Sequence, residues 1–269
     1  MLIVDSQIHL WAGGKPNPAH RQIPSFTSED ALKDMAAAGV DAAVVHPPGW
    51  DPGAQELALA AARAHPERFA VLGRFPLDRP ESRGLVDGWL KQPGMRGLRF
   101  TFLDERQKSW LADGTMDWLW PAAERAGIPI GLAAAHALPA VAKVAERHPR
   151  LKLIIDHLGA AAGQKDAAAY AHIDDLVALA CFPMVAVKAS AAPGTSSEPY
   201  PYRNIHAYLR RIFEAFGPKR FFWGTDLTRM PCSWRQCVTL FTEELPFLGV
   251  ADKEQVMGRA LCDFLGWQR

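Results

Sequence analysis

The sequence predicts an α/β protein built as a single (β/α)₈ TIM barrel. Its 269 residues are close to the roughly 250 that such a barrel uses. Hydrophobic residues make up 49% and charged residues 22% of the chain, which are ordinary values for a protein with a packed core. Short β-rich runs alternate with longer Ala-, Leu-, Glu- and Arg-rich runs along the whole sequence, a pattern typical of repeated βα units. We therefore expect residues 1–269 to form one barrel domain.

Eight apolar, β-rich runs are predicted to form the strands. They cover residues 2–9, 42–46, 69–75, 95–101, 128–133, 152–157, 184–189 and 220–226, and their starts lie 24 to 40 residues apart. Each interval is about one βα unit long. A doubly wound open sheet is the competing architecture, but the sequence lacks its phosphate-binding patterns, GxGxxG after the first strand and GxxxxGK[ST]. The spacing therefore favours the closed barrel.

Helices are predicted between the strands and after the last one. They cover residues 28–38, 53–65, 83–91, 116–126, 138–147, 166–180, 205–216, 234–244 and 252–265. The first begins with a capping residue, Ser28, followed by Glu29 and Asp30, and acidic residues stabilise a helix N-terminus. Proline and glycine cluster only in loops such as 47–53 and 193–201, so the sequence marks no boundary to a second domain.

Composition and charge exclude several classes of protein. The 30 Lys and Arg against 29 Asp and Glu leave a net charge of +1, without a basic block that would neutralise a run of phosphates, so we expect no nucleic-acid partner. Pro, Gly or a charge interrupts every apolar run before the roughly 18 residues of a membrane span, and the first residues lack a basic signal segment. We expect no membrane association and a cytoplasmic location. The four cysteines form no CxxC pair and are expected to be reduced thiols.

Polar side chains end seven of the eight predicted strands. In chain order they are Gln7 and His9, His46, Arg74, Arg99, Asp156 and His157, Lys188 and Ser190, and Thr225 and Asp226. The active sites of (β/α)₈ barrels lie at the carboxyl ends of the strands. A buried charge without a partner costs several kcal/mol, so packing alone does not account for so many polar strand ends. The sequence therefore predicts a functional site at this rim.

Several of these residues also have a structural interpretation. His9 follows an apolar run, where a lone histidine is often a core residue, but its place at a strand end favours the site. Asp226 follows an apolar run, so burial would raise its pKa unless a cation or a metal offsets the effect; it could instead cap the next helix. Because side chains alternate along a strand, we expect His157 to face the site and Asp156 to support it.

The three basic strand-end residues each have two interpretations. Arg74 and Arg99 are either partners of interior carboxylates or recognition groups for an anionic substrate, because a guanidinium fork suits a carboxylate in both cases. Lys188 is either a Schiff-base nucleophile, since burial lowers the pKa of a lysine, or the ion-pair partner of Asp226. For Lys188 we expect pairing, the commoner arrangement.

Four segments resemble those of a known family of barrels. DSQIHLW (5–11), IIDHLG (154–159), VAVKAS (185–190) and FFWGTD (221–226) occur in the order and spacing of the amidohydrolase-2 barrels, in the branch that holds 2-pyrone-4,6-dicarboxylate lactonase and the sugar-acid lactonases. The similarity runs the whole length of the chain and extends to VVHPPGWD, HPERFAVLGRFPLD and GMRGLRF. DHLG together with the later GTD is more specific than any one segment.

The resemblance implies a hydrolase of the lactonase kind, which opens a carboxylated lactone by attack of water. It implies that Asp226 is the general base and that His9 and His157 polarise or stabilise the carbonyl. Substrate-binding residues are expected to be Gln7, Trp11, His46, Arg74, Arg99 and Lys188, with Trp50 as a second aromatic wall. The expected partner is an anionic small molecule, and a homo-oligomer is left open.

The chain departs from the family in the first and fifth strands. Members usually begin with an HxH pair, whereas here the first position is Gln7, and glutamine is a poor ligand for a borderline-soft cation. The fifth strand, IPIGLAA, ends without a histidine, and His136 follows only in the loop. We therefore expect that no cofactor is required. If zinc or manganese is bound, the expected ligands are His9, His157 and Asp226.

Two other functions compete with the lactonase. A metal-dependent, non-oxidative decarboxylase of an aromatic or unsaturated acid would contain stoichiometric metal and release carbon dioxide. A barrel that only binds a ligand would have no need of Asp226 beside histidines at the strand ends. Loss of turnover without loss of binding in Asp226→Asn would argue against that third class.

Overall fold

The computed structural model describes residues 1–102 and 105–269. Eight parallel strands pair in sequence order and form a nearly closed barrel. They are β1 (Val4–Ile8), β2 (Ala42–Val45), β3 (Phe69–Arg74), β4 (Met95–Phe100), β5 (Ile130–Leu132), β6 (Leu153–Ile155), β7 (Val185–Ala189) and β8 (Phe221–Trp223). Each lies within a predicted strand, so the predicted (β/α)₈ barrel is confirmed.

The register of the strands brings their carboxyl ends to one rim. Arg74 at the end of β3 pairs with Arg99 of β4, and Leu132 at the end of β5 pairs with Ile155 of β6. Ala189 at the end of β7 is the partner of Trp223 in β8. Residues that follow the strands are therefore gathered around the same opening.

The junction between β1 and β8, called the seam below, is closed by hydrogen bonds from side chains and from single backbone amides. The amide of Thr225, just after β8, donates to Asp5 Oδ1 over 2.9 Å, and its hydroxyl donates to Asp5 Oδ2 over 2.5 Å. The amide of Asp226 donates to the carbonyl oxygen of Gln7 over 2.8 Å. The first and last strands are thus joined through a buried carboxylate.

Close approach at this seam requires a glycine. A Cβ added to Gly224 would lie 2.1 Å from Ser6 Oγ, which is far inside van der Waals contact. The Trp234 indole also donates to Asp5 Oδ2, over 2.9 Å. Burial raises the pKa of Asp5 to about 6, although the hydrogen bonds that it accepts act in the opposite direction.

The helices surround the barrel largely as predicted. They are α1 (Ser28–Ala38), α2 (Ala54–Ala64), α3 (Glu105–Lys108), α4 (Leu119–Ala126), α5 (Leu138–Arg147), α6 (Asp166–Ala169), α7 (Ile173–Ala178), α8 (His206–Phe216), α9 (Trp234–Thr239), α10 (Val250–Glu254) and α11 (Ala260–Leu265). The cap of α1 is Thr27 rather than Ser28, because the Thr27 side chain accepts the Asp30 amide and the Asp30 carboxylate accepts the Thr27 amide.

Four predicted helices differ in detail. Residues Pro80–Lys91 form a 3₁₀ helix, in a segment that contains Gly84 and Gly88, two poor helix formers. The predicted helix 166–180 is interrupted between α6 and α7. A π-helical segment, Leu240–Glu244, continues α9, and another, Gln255–Arg259, joins α10 to α11.

The amino-terminal end of the barrel is filled with apolar side chains. Inward-facing strand residues such as Val44, Leu72 and Phe222 form one cluster with Leu261 and Trp267 from the end of the chain. The larger apolar cluster involves the remaining strand residues and the surrounding helices. The polar residues that follow the strands lie at the opposite, carboxyl rim. Among the helices that the structure describes, none is long and apolar enough to cross a membrane.

Candidate active site

Asp226 lies at the centre of the carboxyl rim. It follows β8 in a left-handed backbone conformation (φ 57°) and is 1% exposed. Its Oδ1 lies 3.1 Å from His9 Nε2, and its Oδ2 lies 3.1 Å from Arg229 Nη1 and 3.7 Å from His157 Nε2. The Asp226 side chain makes no capping hydrogen bond to the 3₁₀ turn that follows, so the capping alternative is wrong.

Asp226 is held in its ionised form. Burial acts to raise the pKa of this carboxyl, but electrostatic interactions with His9, His157 and Arg229 outweigh burial and hold the pKa well below its usual 3.8. The sequence predicts that burial raises this pKa unless a cation or a metal offsets it. The structure supplies the Arg229 guanidinium for this purpose.

His9 turns one ring nitrogen toward Asp226. Its Nδ1 lies 2.5 Å from the carbonyl oxygen of His46, and because a carbonyl only accepts, Nδ1 carries the proton. A neutral His9 therefore presents the lone pair of Nε2 to Asp226. In the described part of the chain, Asp226 Oδ1 has no hydrogen-bond partner despite its burial. His9 Nε2 and Asp226 Oδ1 are therefore both hydrogen-bond acceptors. Their contact is favourable only if a proton or a cation lies between them.

His157 is oriented by two side chains. It follows β6 in a left-handed conformation (φ 54°), and its Nδ1 lies 2.9 Å from Ser190 Oγ. Its Nε2 lies 3.4 Å from Gln7 Nε2, an amide nitrogen that can only donate. This arrangement favours a lone pair on Nε2 and a proton on Nδ1. Burial lowers the pKa of His157 to about 3, so the ring is neutral.

A buried ionic network lies directly beneath these groups. Lys188 Nζ lies 2.7 Å from Asp156 Oδ1, 2.8 Å from Gln7 Oε1 and 3.3 Å from His46 Nε2. The Arg99 Nε donates to Asp156 Oδ2 over 2.7 Å. Burial acts to raise the pKa of Asp156, but the charges of Lys188 and Arg99 prevail and hold the pKa far below its usual value. The carboxylate is therefore charged and paired on both oxygens.

This network changes several expected roles. The ion-pair partner of Lys188 is Asp156, not Asp226. Lys188 is 0% exposed, so we interpret it as a residue that neutralises Asp156 and orients Gln7 rather than one that holds a substrate carboxylate. His46 is equally buried, and its Nε2 lies 3.1 Å from the carbonyl oxygen of Ser6. These residues position the site from below.

Strand alternation does not determine the directions of the Asp156 and His157 side chains. Strand β6 ends at Ile155, so both residues lie in the turn that follows, where the side-chain direction is set by local dihedral angles. Asp156 nevertheless contacts Arg99 and Lys188, and His157 lies beside Asp226.

The two expected aromatic wall residues, Trp11 and Trp50, differ in exposure. Trp11 is 0% exposed, donates from its indole nitrogen to the carbonyl oxygen of Ile23, and packs against Phe26 and Trp50 with ring centroids 5.7 Å away. The expectation that Trp11 faces a substrate is therefore wrong. Trp50 is partly exposed, and its ring centroid lies 5.8 Å from that of His9.

Arg74 lies at the exposed edge of the rim. Its guanidinium is 3.8 Å from the point where a Cβ on Gly49 would lie, so it stands over the loop that follows β2. Arg74 remains a candidate for substrate recognition.

Two residues of the rim, His20 and Arg229, were not predicted from the sequence. His20 comes from the long loop after β1, and its ring centroid lies 5.2 Å from that of His9 and 4.7 Å from that of Trp50. No local pattern marks His20, because only the fold of the loop brings it to the rim. Arg229 could have been found, since it is three residues after Asp226 in a short turn.

One group in the described chain has the composition and spacing for a metal ion. One ring nitrogen each of His9 and His20 and one carboxylate oxygen of Asp226 lie within 4.8 Å of one another. Two imidazoles and a carboxylate form a common ligand set for zinc and related divalent ions. The ligands expected from the sequence were His9, His157 and Asp226, so His20 takes the third place in this group.

The fold and the site together define a (β/α)₈ barrel of the enzyme type, with its chemistry at the carboxyl rim. The chain belongs to the Amidohydrolase family, whose model matches residues 4–259. The family resemblance predicted from the sequence is thereby confirmed.

Similar proteins include a named lactonase. An L-fucono-1,5-lactonase of Burkholderia ambifaria is 28% identical over 162 residues, which cover 58% of this chain and 54% of that protein. The chain thus matches about half the length of this relative.

Solved structures with the same fold cover nearly the whole chain. An amidohydrolase of Burkholderia multivorans with bound zinc is 21% identical, with a TM-score of 0.83 and 100% of both chains covered. A putative 2-pyrone-4,6-dicarboxylic acid hydrolase of Pseudomonas putida is 18% identical, with a TM-score of 0.75, covering 100% of this chain and 98% of its own. Decarboxylases of aromatic acids also occur among the structural neighbours. At these identities, the structures establish a shared fold.

Proposed function

We propose that this protein is a lactonase that opens an anionic lactone by attack of water, with Asp226 as the general base. The observation that carries the proposal is the state of Asp226: it is buried and ionised, and one of its oxygens, Oδ1, accepts no hydrogen bond from any described residue. A general base needs such a free oxygen within reach of water. The match to a named lactonase supports this choice of reaction.

Asp226 is suited to orient the attacking water. Arg229 holds Oδ2 of Asp226, which leaves Oδ1 to accept one proton of the water. The single lone pair of His157 Nε2 accepts from the Gln7 amide over 3.4 Å, so in this proposal His157 lies beside Asp226 without binding the water. This role differs from the carbonyl-polarising role that the resemblance implies for His157.

The ring opening then proceeds in two proton transfers. The water oxygen bonds to the lactone carbonyl carbon while its proton passes to Asp226. The bond from that carbon to the ring oxygen breaks next, and the ring oxygen takes the proton from Asp226, which yields a hydroxy acid and regenerates the carboxylate. The Arg229 guanidinium, half-buried beside Asp226, supplies positive charge for the oxyanion.

A divalent cation held by His9, His20 and Asp226 would supply Lewis-acid polarisation of a carbonyl oxygen at the same place. The residues named here fit such an ion by their chemistry.

The substrate is proposed to carry a carboxylate. Arg99 uses its Nε to pair with Asp156, and among the described residues no contact to its terminal nitrogens is seen, so they are the groups we assign to another anion. Arg74 stands exposed at the rim. Guanidinium groups bind carboxylates by paired, charge-assisted hydrogen bonds. We retain Arg74 and Arg99 as the residues that line the substrate pocket. Gln7 is fully buried, with its amide held by Lys188 and His157, so we assign it a positioning role instead.

Asp226→Asn tests the assignment of the base. The amide keeps the shape of the side chain but cannot accept the proton, so we expect kcat on a lactone panel to fall by about 10²- to 10⁴-fold. Binding of a substrate analogue should persist, and bound metal should be measured in parallel. Asp175→Asn, at an exposed carboxylate on the outer surface, is the matched control and should leave kcat unchanged. A variant that keeps more than about a tenth of the parent kcat would place the base elsewhere.

The second candidate function is a metal-dependent decarboxylase. The candidate metal group and the decarboxylases among the structural neighbours favour it. Carbon dioxide release from a carboxylated aromatic acid, with no hydroxy acid formed from any lactone, would select this function over the lactonase.

A further inference from the structure

We propose that His20 is a ligand of a divalent transition-metal ion of the zinc class, bound together with His9 and Asp226 at the carboxyl rim. The ligand atoms of these three residues lie within 4.8 Å of one another. The inference concerns the site of the proposed lactonase, but cation binding is measured without substrate, so it stands or falls separately from that function.

The facing atoms of His9 and Asp226 are already arranged for a cation. His9 donates from Nδ1 to the His46 carbonyl, and Nε2 is left as the ligand atom, 3.1 Å from Asp226 Oδ1. Ligand atoms of a tetrahedral ion with bonds of about 2.0–2.1 Å lie roughly 3.4 Å apart. A cation between them would satisfy a buried oxygen that is otherwise without a partner in the described chain.

His20 has the same arrangement of ring nitrogens. Its Nδ1 lies 2.8 Å from Thr228 Oγ1, and Thr228 is two residues after Asp226 on the same turn. Metal-bound histidines characteristically engage the second nitrogen in such a hydrogen bond, which fixes the ring and the tautomer.

Gln7 is excluded as a ligand by its own contacts. Its Oε1, the only atom that could bind a cation, accepts from Lys188 Nζ over 2.8 Å. The amide group is thereby turned so that Nε2 faces His157. The lone pair of His157 Nε2 faces this amide, so His157 is less available than His20.

Three protein ligands leave a coordination position open. Structural zinc sites use four protein ligands, whereas catalytic sites use three and keep one position for water or substrate. The half-buried His20 closes this site from the loop side, beside the partly exposed Trp50. The site that we propose is therefore of the catalytic kind.

Titration of the metal-free chain with Co²⁺ and Zn²⁺ tests the inference. We expect one ion per chain for the parent protein, with a visible Co²⁺ absorption spectrum that Zn²⁺ abolishes. His20→Ala and His20→Gln should each weaken binding at least tenfold, since even the loss of a group that only orients a ligand costs about 10- to 100-fold. Gln in place of His20 retains a polar side chain in the loop, so it separates loss of the ligand from loss of loop structure.

His136→Ala is the matched control, because His136 is an exposed histidine on the loop after β5. It should bind Co²⁺ as tightly as the parent chain, with the same spectrum. The inference is overturned if the parent chain binds no ion, or if both folded His20 variants bind as tightly as the parent. If His157→Gln loses Co²⁺ binding while the His20 variants keep it, the third ligand is His157, and the assignment of His20 is refuted.

Discussion

Replacing Lys188 by methionine probes the buried network that supports the site. Lys188 and Asp156 have fully buried side chains, and the ammonium nitrogen lies 2.7 Å from Asp156 Oδ1. The substitution leaves Asp156 with a single cationic partner, Arg99, and exposes one buried carboxylate oxygen to an apolar side chain. Removing one partner of a buried ion pair costs about 3–5 kcal/mol, because the remaining charge is uncompensated.

The expected effect is large enough for thermal unfolding to resolve. For a chain of this size 1 kcal/mol changes Tm by about 2–4 °C, so Lys188→Met should lower Tm by roughly 6–20 °C. Unfolding followed by circular dichroism at pH 7 measures it. Lys143→Met, at an exposed position on α5, is the control and should change the free energy of unfolding by less than about 0.5 kcal/mol.

The loss of stability expected in Lys188→Met depends on the charge of Asp156. Adding Asp156→Asn to Lys188→Met removes the uncompensated carboxylate, so the double variant should lose less stability than the sum of the two single variants. A Tm decrease of less than about 2 °C in Lys188→Met, with additive single effects, would mean that Arg99 alone satisfies Asp156. The ionic network would then not stabilise the barrel as described.

Three further outcomes are expected. The pKa of Asp5 is about 6 in the folded chain against 3.8 normally, so the folded state binds this proton more tightly. The free energy of unfolding should therefore gain about 1 kcal/mol from this group between pH 7 and pH 5, and denaturant unfolding of Asp5→Asn should lack the gain. An anionic lactone should be preferred over its neutral ester. Arg99→Met should raise KM for the anionic lactone roughly 10- to 150-fold, which corresponds to about 1.5–3 kcal/mol of lost binding. If the anionic and neutral substrates turn over equally and Arg99→Met leaves KM unchanged, Arg99 is only a partner of Asp156. Because the pKa of Asp226 is held well below 3.8, protonation of this carboxylate should reduce kcat/KM only at a pH below 3.8. A ¹³C NMR titration measures the protonation directly. Protonation of the Asp226 carboxyl above pH 5 would contradict the proposed ionisation state.

The strands and most helices could be predicted because their patterns are local. Strands such as β7 are short apolar runs between loops, and α1 was predicted over its observed range. The 3₁₀ helix at Pro80–Lys91 was predicted as an ordinary helix, since apolar periodicity does not report the weakening effect of Gly84 and Gly88.

The site could be predicted only where strand ends determine it. Asp226, His9 and His157 meet at the rim because parallel strands end there. The partner of Lys188 could not be predicted, because it depends on the turn after β6, whose left-handed residues have no strand periodicity. His20 reaches the rim through the path of a loop, and loop paths are set by tertiary contacts such as the one with Thr228.

The seam between the first and last strands also provides a measure of barrel integrity. The amide protons of Thr225 and Asp226 are held by Asp5 and Gln7, and the Thr225 to Asp5 bond spans 220 residues of sequence. Such protons exchange with solvent only when the structure around them opens. Slow hydrogen exchange at these two positions therefore shows that the two ends of the sheet are still joined. In a variant without activity, it distinguishes the loss of a catalytic group from the opening of the barrel that holds it.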